Sequence, residues 1–387
     1  GFIGLEMAEN LTHLGLDVTL IERGEHVMAP MDPEMAIYVE RHMERNGVRL
    51  VLDDDVTGFQ QSEDGSLEVL TRSGGVYPAD VAVLGIGVRP ENWLAKEAGL
   101  EIGERGGIRV DDQMRTSDPY IFAVGDAIEV KDYVTGQWAH IALAGPANRQ
   151  GRIAADVIAG RDSTFRGTQG TSIIGVFGGA AAFTGVSEKL LKRLGETDYE
   201  KIYLYPNSHA GYYPGAKYLA MKIIFRKSDG RLLGAQTVGL DGADKRIDAF
   251  AMAIQLGATI YDLEEAELCY APQFGSAKSP INFAGMIAAD FLRGDMPLCH
   301  WDSDESEFLL DVRDPKELAI ENVPGAVNIP LNELRARLDE LPRDREIQVF
   351  CRSGQRAYYA TRVLMQSGFK VRNLSGGMLS RQNLVTD

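Results

Sequence analysis

Cysteine is scarce: the 387 residues hold three, Cys269, Cys299 and Cys351, too few for a disulfide framework. That usage points to a reducing compartment, the cytoplasm. Positive charge is also in deficit. Lys and Arg number 40 against 56 Asp and Glu, a formal net charge of −16, which argues against a general binder of nucleic acid or anionic membrane. A local arginine pocket for an anionic ligand is still compatible with that balance. No stretch approaches the roughly 20 apolar residues of a bilayer span, and no signal peptide is read at the start. The six histidines are scattered, and no Cys/His/acid spacing suggests a metal, so none is expected. What is present is ordinary: 44% hydrophobic and 25% charged residues, in a length that suits two to three domains at roughly 150 residues each.

The chain opens Gly1-Phe2-Ile3-Gly4-Leu5-Glu6, followed by apolar residues at helical spacing (Met7, Leu11, Leu14), a stop at Gly15, and the strand-like Asp17–Glu22. A glycine pair opening a helix, then a strand ending in an acid, is the rear half of a dinucleotide-binding fingerprint. The glycines allow close backbone approach and helix–strand packing, and the helix N-terminus offers free N–H groups to phosphates. Glu22 follows Gly4 by 18 residues, a reach suited to a ribose hydroxyl, which favours NAD over NADP. The neighbouring Arg23 weakens that choice. The fingerprint's first glycine and strand are expected upstream of Gly1, so the chain reads as an N-terminally truncated fragment.

Further along, an amphipathic helix (Met35, Val39, Met43) leads through Asn46-Gly47 into Val48–Leu52. Asp80–Gly87 reads as a buried strand ending in a glycine turn, and Ile121–Val124 as another, delivering Gly125 and Asp126 at its C-terminal end. Leu143-Ala144 then opens a small-residue helix. Asp126 is either a ligand to a polyol chain or a helix-cap residue.

Four features in order, Phe2-Ile3-Gly4-Leu5-Glu6, Gly87-Val88-Arg89-Pro90, Ala123-Val124-Gly125-Asp126 and Leu143-Ala144, resemble the FAD-dependent pyridine nucleotide–disulfide oxidoreductases. The resemblance implies that Gly125 and Asp126 meet the FAD ribityl chain and that Leu143 and Ala144 meet the flavin ring. It implies that Gly1, Gly4 and Glu22 hold NADH, with NADPH the alternative, and that Phe2, Glu6 and Gly87 lie near the nicotinamide. Strand-like runs and two helices between 169 and 292 then resemble the family's dimerisation domain, implying a homodimer. Within them, His209–Gly215 and Leu268–Lys278 resemble the CoA-disulfide reductase and persulfide reductase branch, where a tyrosine from each segment points at the partner's reacting sulfur. Adjacent side chains of an extended segment face opposite ways, so one of Tyr212 and Tyr213 can serve. Tyr212 and Tyr270 are the candidates, with packed aromatic corners as the alternative.

Near the C-terminus, strand Ile347–Phe350 runs into Cys351-Arg352-Ser353-Gly354-Gln355-Arg356 and a helix. A cysteine there sits among backbone N–H groups and a helix dipole, which stabilise a thiolate or persulfide anion; Arg352 and Arg356 add positive charge, and Gly354 permits a tight loop. The alternative is an inert cysteine following a strand. With Asp311-Val312-Arg313, Asn328-Ile329-Pro330 and Gly376-Gly377, this region resembles a single rhodanese domain, whose final helix would continue past the end of this chain. The related phosphatases carry one more loop residue, so six residues favour sulfur. Cys269 and Cys299, without basic or glycine-rich surroundings, read as packing or incidental.

The expected fold class is α/β: partial doubly wound nucleotide-binding domains, an α+β dimerisation domain and an α/β rhodanese domain. The expected boundaries are 1–110 for NAD, 111–168 for the end of the FAD domain, 169–292 for dimerisation, 293–305 for a linker and 306–387 for rhodanese. The expected function is reduction of CoA disulfide, CoA persulfide or polysulfide by NADH through FAD, with CoA as substrate or bound thiol and Cys351 carrying sulfur. The family's N-terminal redox cysteine is not in this sequence, so the fragment alone is not expected to complete that cycle. An NADH oxidase or peroxidase, and a non-catalytic sulfur carrier or redox sensor, are the alternatives.

Overall fold

The computed structural model describes residues 1–63, 65–302 and 308–384. Residues 303–305 of the expected linker, and 306–307 and 385–387 of the expected rhodanese domain, lie outside the described residues. Two compact units are present: 1–30, 42–177 and 182–186 form the first, and 31–41, 178–181 and 187–387 the second. Regions expected as separate dimerisation and rhodanese domains thus share one unit. Among the described residues no helix is long and apolar enough to cross a membrane.

In the first unit, helix Phe2–His13 begins at Gly1 and buries Leu5 and Ala8. Strand Thr19–Ile21 pairs in parallel with Arg49–Val51, the expected βαβ order. The antiparallel strands Val56–Gln61, Leu67–Thr71 and Val76–Ala79 follow. Strand Ile128–Lys131 pairs with Ile108–Arg109 and Trp138–Ala139. Ile108, Met114, Ile128, Val130 and Ala154 of helix Ala144–Ile158 fill the core beside them.

Two strand expectations are corrected here. Asp80–Gly87 forms no strand, and Val81 and Ile86 are 76% and 88% exposed. Ile121–Val124 makes only an isolated bridge, Phe122 to Arg115. An apolar run signals a preference for burial, but a parallel strand also needs a partner on its flank, and none of the described residues pairs with either segment as a strand. The glycine turns themselves are present, with Gly87 at φ +96° and Gly125 at φ +75°.

In the second unit, strands Tyr199–Leu204, Leu219–Arg226 and Leu232–Gly239 form successive antiparallel neighbours, with Tyr199–Leu204 at the sheet edge. Helices Ala243–Leu256 and Pro280–Leu292 occupy the expected stretches; helix Glu188–Leu194 was not anticipated. A parallel sheet follows in the order Leu298–Cys299, Val371–Leu374, Ile347–Phe350, Leu309–Asp311, Val327–Asn328. Leu298 and Cys299, placed by sequence in a linker, are therefore a buried strand, as their apolar side chains demand. Leu331, Leu334, Leu338 and Leu341 have the spacing of an amphipathic helix, but the stretch holds two 3₁₀ turns, Leu334–Ala336 and Leu338–Glu340. Apolar residues three apart satisfy a 3₁₀ turn as readily as an α-helix.

Candidate active site

Cys351 follows the fully buried strand Ile347–Phe350 and precedes helix Gln355–Gln366. Gly354, at φ +96°, caps that helix and donates its N–H to the Cys351 Sγ over 3.2 Å. The thiol is 1% exposed, at the base of a loop on which Arg352 and Gln355 are exposed and Ser353 is half-buried. Gly377 lies directly beneath. A Cβ there would stand 2.2 Å from the Cys351 carbonyl oxygen, so only glycine fits. Met378 N–H donates to that oxygen at 2.9 Å, and Leu379 N–H to the Arg352 oxygen at 3.0 Å.

Arg356 faces a partner the sequence did not reveal. Its two terminal nitrogens donate to the Glu317 carboxylate at 2.6 and 2.8 Å. The paired guanidinium, against a smaller opposing effect of burial, holds the Glu317 carboxyl down at about 2. Asp314-Pro315-Lys316-Glu317 carried a capping-box signature that places Glu317 on a helix start, and the box is present. The Asp311–Arg313 pair is buried at 2.7 Å, and the Asn328 amide donates to both backbone oxygens of that turn.

The two tyrosine segments meet. Ala210 N–H donates to the Gly275 oxygen at 2.9 Å, tying the segments together, and the hydroxyls of Tyr212 and Tyr270 lie 2.7 Å apart. Both rings are exposed. The segment is a turn rather than extended, yet the neighbouring tyrosines still part: Tyr213 packs its ring edge against buried His209. Cys269, expected to lack basic surroundings, is exposed with the Lys245 ammonium 4.0 Å from its sulfur. Cys299 is packing, as expected, and burial pushes its thiol up to about 12.

In the first unit, Gly1, Phe2, Gly4 and Glu6 occupy the first turns of helix Phe2–His13, and Glu22 Oε2 lies 3.6 Å from Gly1 N. No atom comes within 4 Å of where a Cβ would stand on Gly1 or Gly4, while Gly85, two residues before Gly87, passes so closely that its Cβ would lie 3.4 Å from Gly4 Cα. Open glycine backbone, uncapped helical N–H groups and an acid beside them fit a dinucleotide. Gly125 donates its N–H to buried Gln150 Oε1 at 2.8 Å, on helix Ala144–Ile158, and His140 Nε2 meets the Asp126 oxygen at 2.7 Å. Asp126 keeps its exposed carboxylate beside the helix start that Leu143 caps, an arrangement that fits a polyol and an electron-rich ring edge.

Residues 1–151 match the pyridine nucleotide-disulphide oxidoreductase profile, 173–279 its dimerisation domain and 300–383 the rhodanese-like domain. The solved structure of reduced Bacillus anthracis CoADR-RHD is 48% identical, with a TM-score of 0.96 over 99% of this chain and 70% of that one. The chain belongs to the pyridine nucleotide-disulphide oxidoreductase family. The structure of a NAD-dependent persulfide reductase from A. fulgidus is 40% identical to this chain, with a TM-score of 0.90 over 98% of this chain and 70% of that one. The coenzyme A disulfide reductase of Staphylococcus epidermidis is 34% identical over 74% of this chain, which spans 64% of that relative's length.

Sequence reasoning missed one other feature of this chain. The fully buried Lys222 ammonium lies 2.9 Å from Asp32, 2.5 Å from Glu34 and 2.7 Å from Glu188. These three buried carboxylates are grouped closely enough for a metal ion, but the ammonium stands among them. Burial alone would discharge Lys222, yet Tyr203 and the carboxylates around it keep it well above the usual lysine range.

Proposed function

We propose that this chain serves NADH-dependent reduction of CoA disulfide, CoA persulfide or polysulfide, and that Cys351 carries sulfane sulfur for it. The observation that carries the reading is the Cys351 loop, with Sγ accepting the Gly354 N–H at the start of a helix. The likeness to a coenzyme A disulfide reductase and to a persulfide reductase supports the substrate class. Cys351, as thiolate, attacks the sulfane sulfur of a donor; the donor's S–S bond breaks, its electron pair leaves with the departing group, and a Cys351 persulfide anion forms. The loop N–H groups, the helix dipole and Arg352 stabilise that anion. An acceptor thiolate then takes the outer sulfur and returns Cys351 as thiolate.

Gly1, Gly4 and Glu22 would hold NADH, with Phe2, Glu6 and Gly87 near its nicotinamide; Gly125, Asp126, Leu143 and Ala144 would hold FAD. When bound, FAD supplies electron transfer from NADH to the sulfur acceptor. Glu22 would accept from a ribose hydroxyl, and its negative charge would disfavour a 2′-phosphate, which supports NADH over NADPH. The dimerisation-domain match supports a homodimer. Tyr212 and Tyr270 present one shared and one free hydroxyl hydrogen at the partner subunit's reacting sulfur, where a phenol donates to a leaving thiolate. A carrier thiol must stay reduced, which supports a cytoplasmic site of action.

The test is thiosulfate:cyanide sulfurtransferase activity of the intact chain. Cys351→Ser should abolish it, because the persulfide can form on no other atom of the loop. Unchanged turnover in that variant would overturn the assignment.

A further inference from the structure

The floor beneath the Cys351 loop is the segment Ser375–Ser380, and this segment is also the place where the rhodanese fold meets the dimerisation sheet. On its upper side, Gly377 presses against the Cys351 carbonyl, and Met378 and Leu379 donate their N–H groups to the Cys351 and Arg352 oxygens. Trp301 donates its indole N–H to the Gly377 oxygen at 2.8 Å. On its lower side, Ser375 Oγ accepts the Tyr203 N–H at 3.0 Å, and the Ser380 and Tyr205 hydroxyls lie 3.0 Å apart. Tyr38 completes the contact, its hydroxyl donating to the Leu379 oxygen at 3.2 Å and meeting the Tyr205 hydroxyl at 3.0 Å.

Tyr203 belongs to strand Tyr199–Leu204, the edge of its sheet. An edge strand leaves alternate N–H groups without a strand partner, and a buried N–H left unbonded costs about 1–3 kcal/mol. Tyr203 is 3% exposed and Ser375 4%, so neither group can turn to water instead. The Tyr203 ring is itself fixed: its hydroxyl donates to Glu34 at 2.7 Å, one of the carboxylates around Lys222. A rigid, charge-anchored strand therefore grips one end of the segment whose other face sets the carbonyls of the sulfur loop.

We propose that Ser375 is a positioning residue for sulfur transfer, holding the loop floor in register with the edge strand through Tyr203. The proposal rests on the sulfurtransferase reading of Cys351. It makes the rhodanese region a docked unit whose loop geometry is set from outside its own sheet. Ser375 touches no reacting atom. Its loss should slow the attack by Sγ while leaving donor binding in place, because small displacements of a nucleophile act on the chemical step.

The test uses the intact chain and its Ser375→Ala variant, with Tyr205→Phe as a second variant should the first fail to fold. Two quantities are read: kcat and KM for thiosulfate, and amide hydrogen exchange by mass spectrometry in 376–380 and in 347–350. The expected result is a fall of about tenfold in kcat with KM within about twofold, together with faster exchange in 376–380 and unchanged exchange in 347–350. Wild-type kcat in the variant would overturn the proposal. So would equal acceleration of both segments, which marks general loosening rather than lost positioning. A wild-type chain that transfers no sulfur would overturn the sulfurtransferase reading instead, and the exchange comparison would still decide whether Ser375 holds the floor.

Discussion

The hydroxyl of Tyr212 stands 2.7 Å from that of Tyr270, 58 residues further along the chain. The bond from Tyr270 raises Tyr212 above the ordinary tyrosine range, so it keeps its proton at neutral pH. Two phenols sharing one hydrogen act as a unit. Assayed in a full-length reductase that supplies the family's N-terminal redox cysteine, with FAD loaded and CoA disulfide as substrate, Tyr212→Phe and Tyr270→Phe should each slow NADH consumption by about tenfold or more, within the range of a lost proton donor. The double variant should be little slower than the worse single one, since coupled groups are non-additive. Both rings are exposed, so melting temperatures should not move. Two single variants at wild-type rate would remove the pair from the chemistry.

The three cysteines should separate by alkylation. Cys269 is exposed beside the Lys245 ammonium, Cys351 is 1% exposed, and Cys299 is buried with its thiol pushed up to about 12. Iodoacetamide on the native chain at pH 8 should label Cys269 first, Cys351 more slowly, and Cys299 only after unfolding. Prior treatment with thiosulfate should move the Cys351 label to the outer sulfur of the persulfide, where dithiothreitol removes it, and leave the thioether label of Cys269 unaffected. Mass mapping of the labelled peptides gives the order directly, and a reducible label on Cys269 in place of Cys351 would contradict the carrier role.

Local chemistry was legible in the sequence and long-range partnership was not. A cysteine between a strand and a glycine-capped helix is written within ten residues, and Ile347–Gln366 folds as read. The residues that open helix Phe2–His13 and helix Ala144–Ile158 are similarly local. Nothing in the sequence around Lys222 points to a charge cluster, because its partners Asp32 and Glu188 lie 190 and 34 residues away and carry no shared pattern. Arg356 reads from sequence as positive charge for the loop for the same reason, since Glu317 lies 39 residues before it. Ile86, 88% exposed, shows the converse limit, since hydropathy states what a segment prefers to bury and not what covers it.

The Glu317–Arg356 pair gives a defined acid dependence. The Glu317 carboxyl is held at about 2 against an ordinary 4.5, so its contribution to stability is full above about pH 4.5 and is lost as pH falls toward 2. The pair is partly exposed, which limits that contribution to the order of 1 kcal/mol. Urea unfolding of the wild-type chain and of Glu317→Gln should differ by that amount at pH 6 and converge near pH 2. A constant difference across the range would show that the carboxylate charge is not what matters.

Lys222 offers the largest expected effect. Replacing it by Met removes the ammonium and leaves Asp32, Glu34 and Glu188 facing one another in a buried site. In the wild-type chain, burial pushes the Asp32 carboxyl up, but the Lys222 charge and the Lys189 and Glu188 N–H groups bring it below the usual range. Without the ammonium, Glu188 keeps Lys192 and Lys201 as partners, but burial of Asp32 then favours its protonation, and breaking a buried pair from one side costs about 3–5 kcal/mol. Lys222→Met should therefore unfold at much lower urea than wild type at pH 7. The deficit should shrink as pH falls through the raised carboxyl values, because the unpaired site then takes up protons. Because Tyr203 hydrogen bonds to Glu34, the loss should also reach the floor of the Cys351 loop, read as faster exchange in 376–380 at urea concentrations where the variant remains folded. A variant as stable as wild type at pH 7 would mean that the three carboxylates find other partners once the lysine is gone.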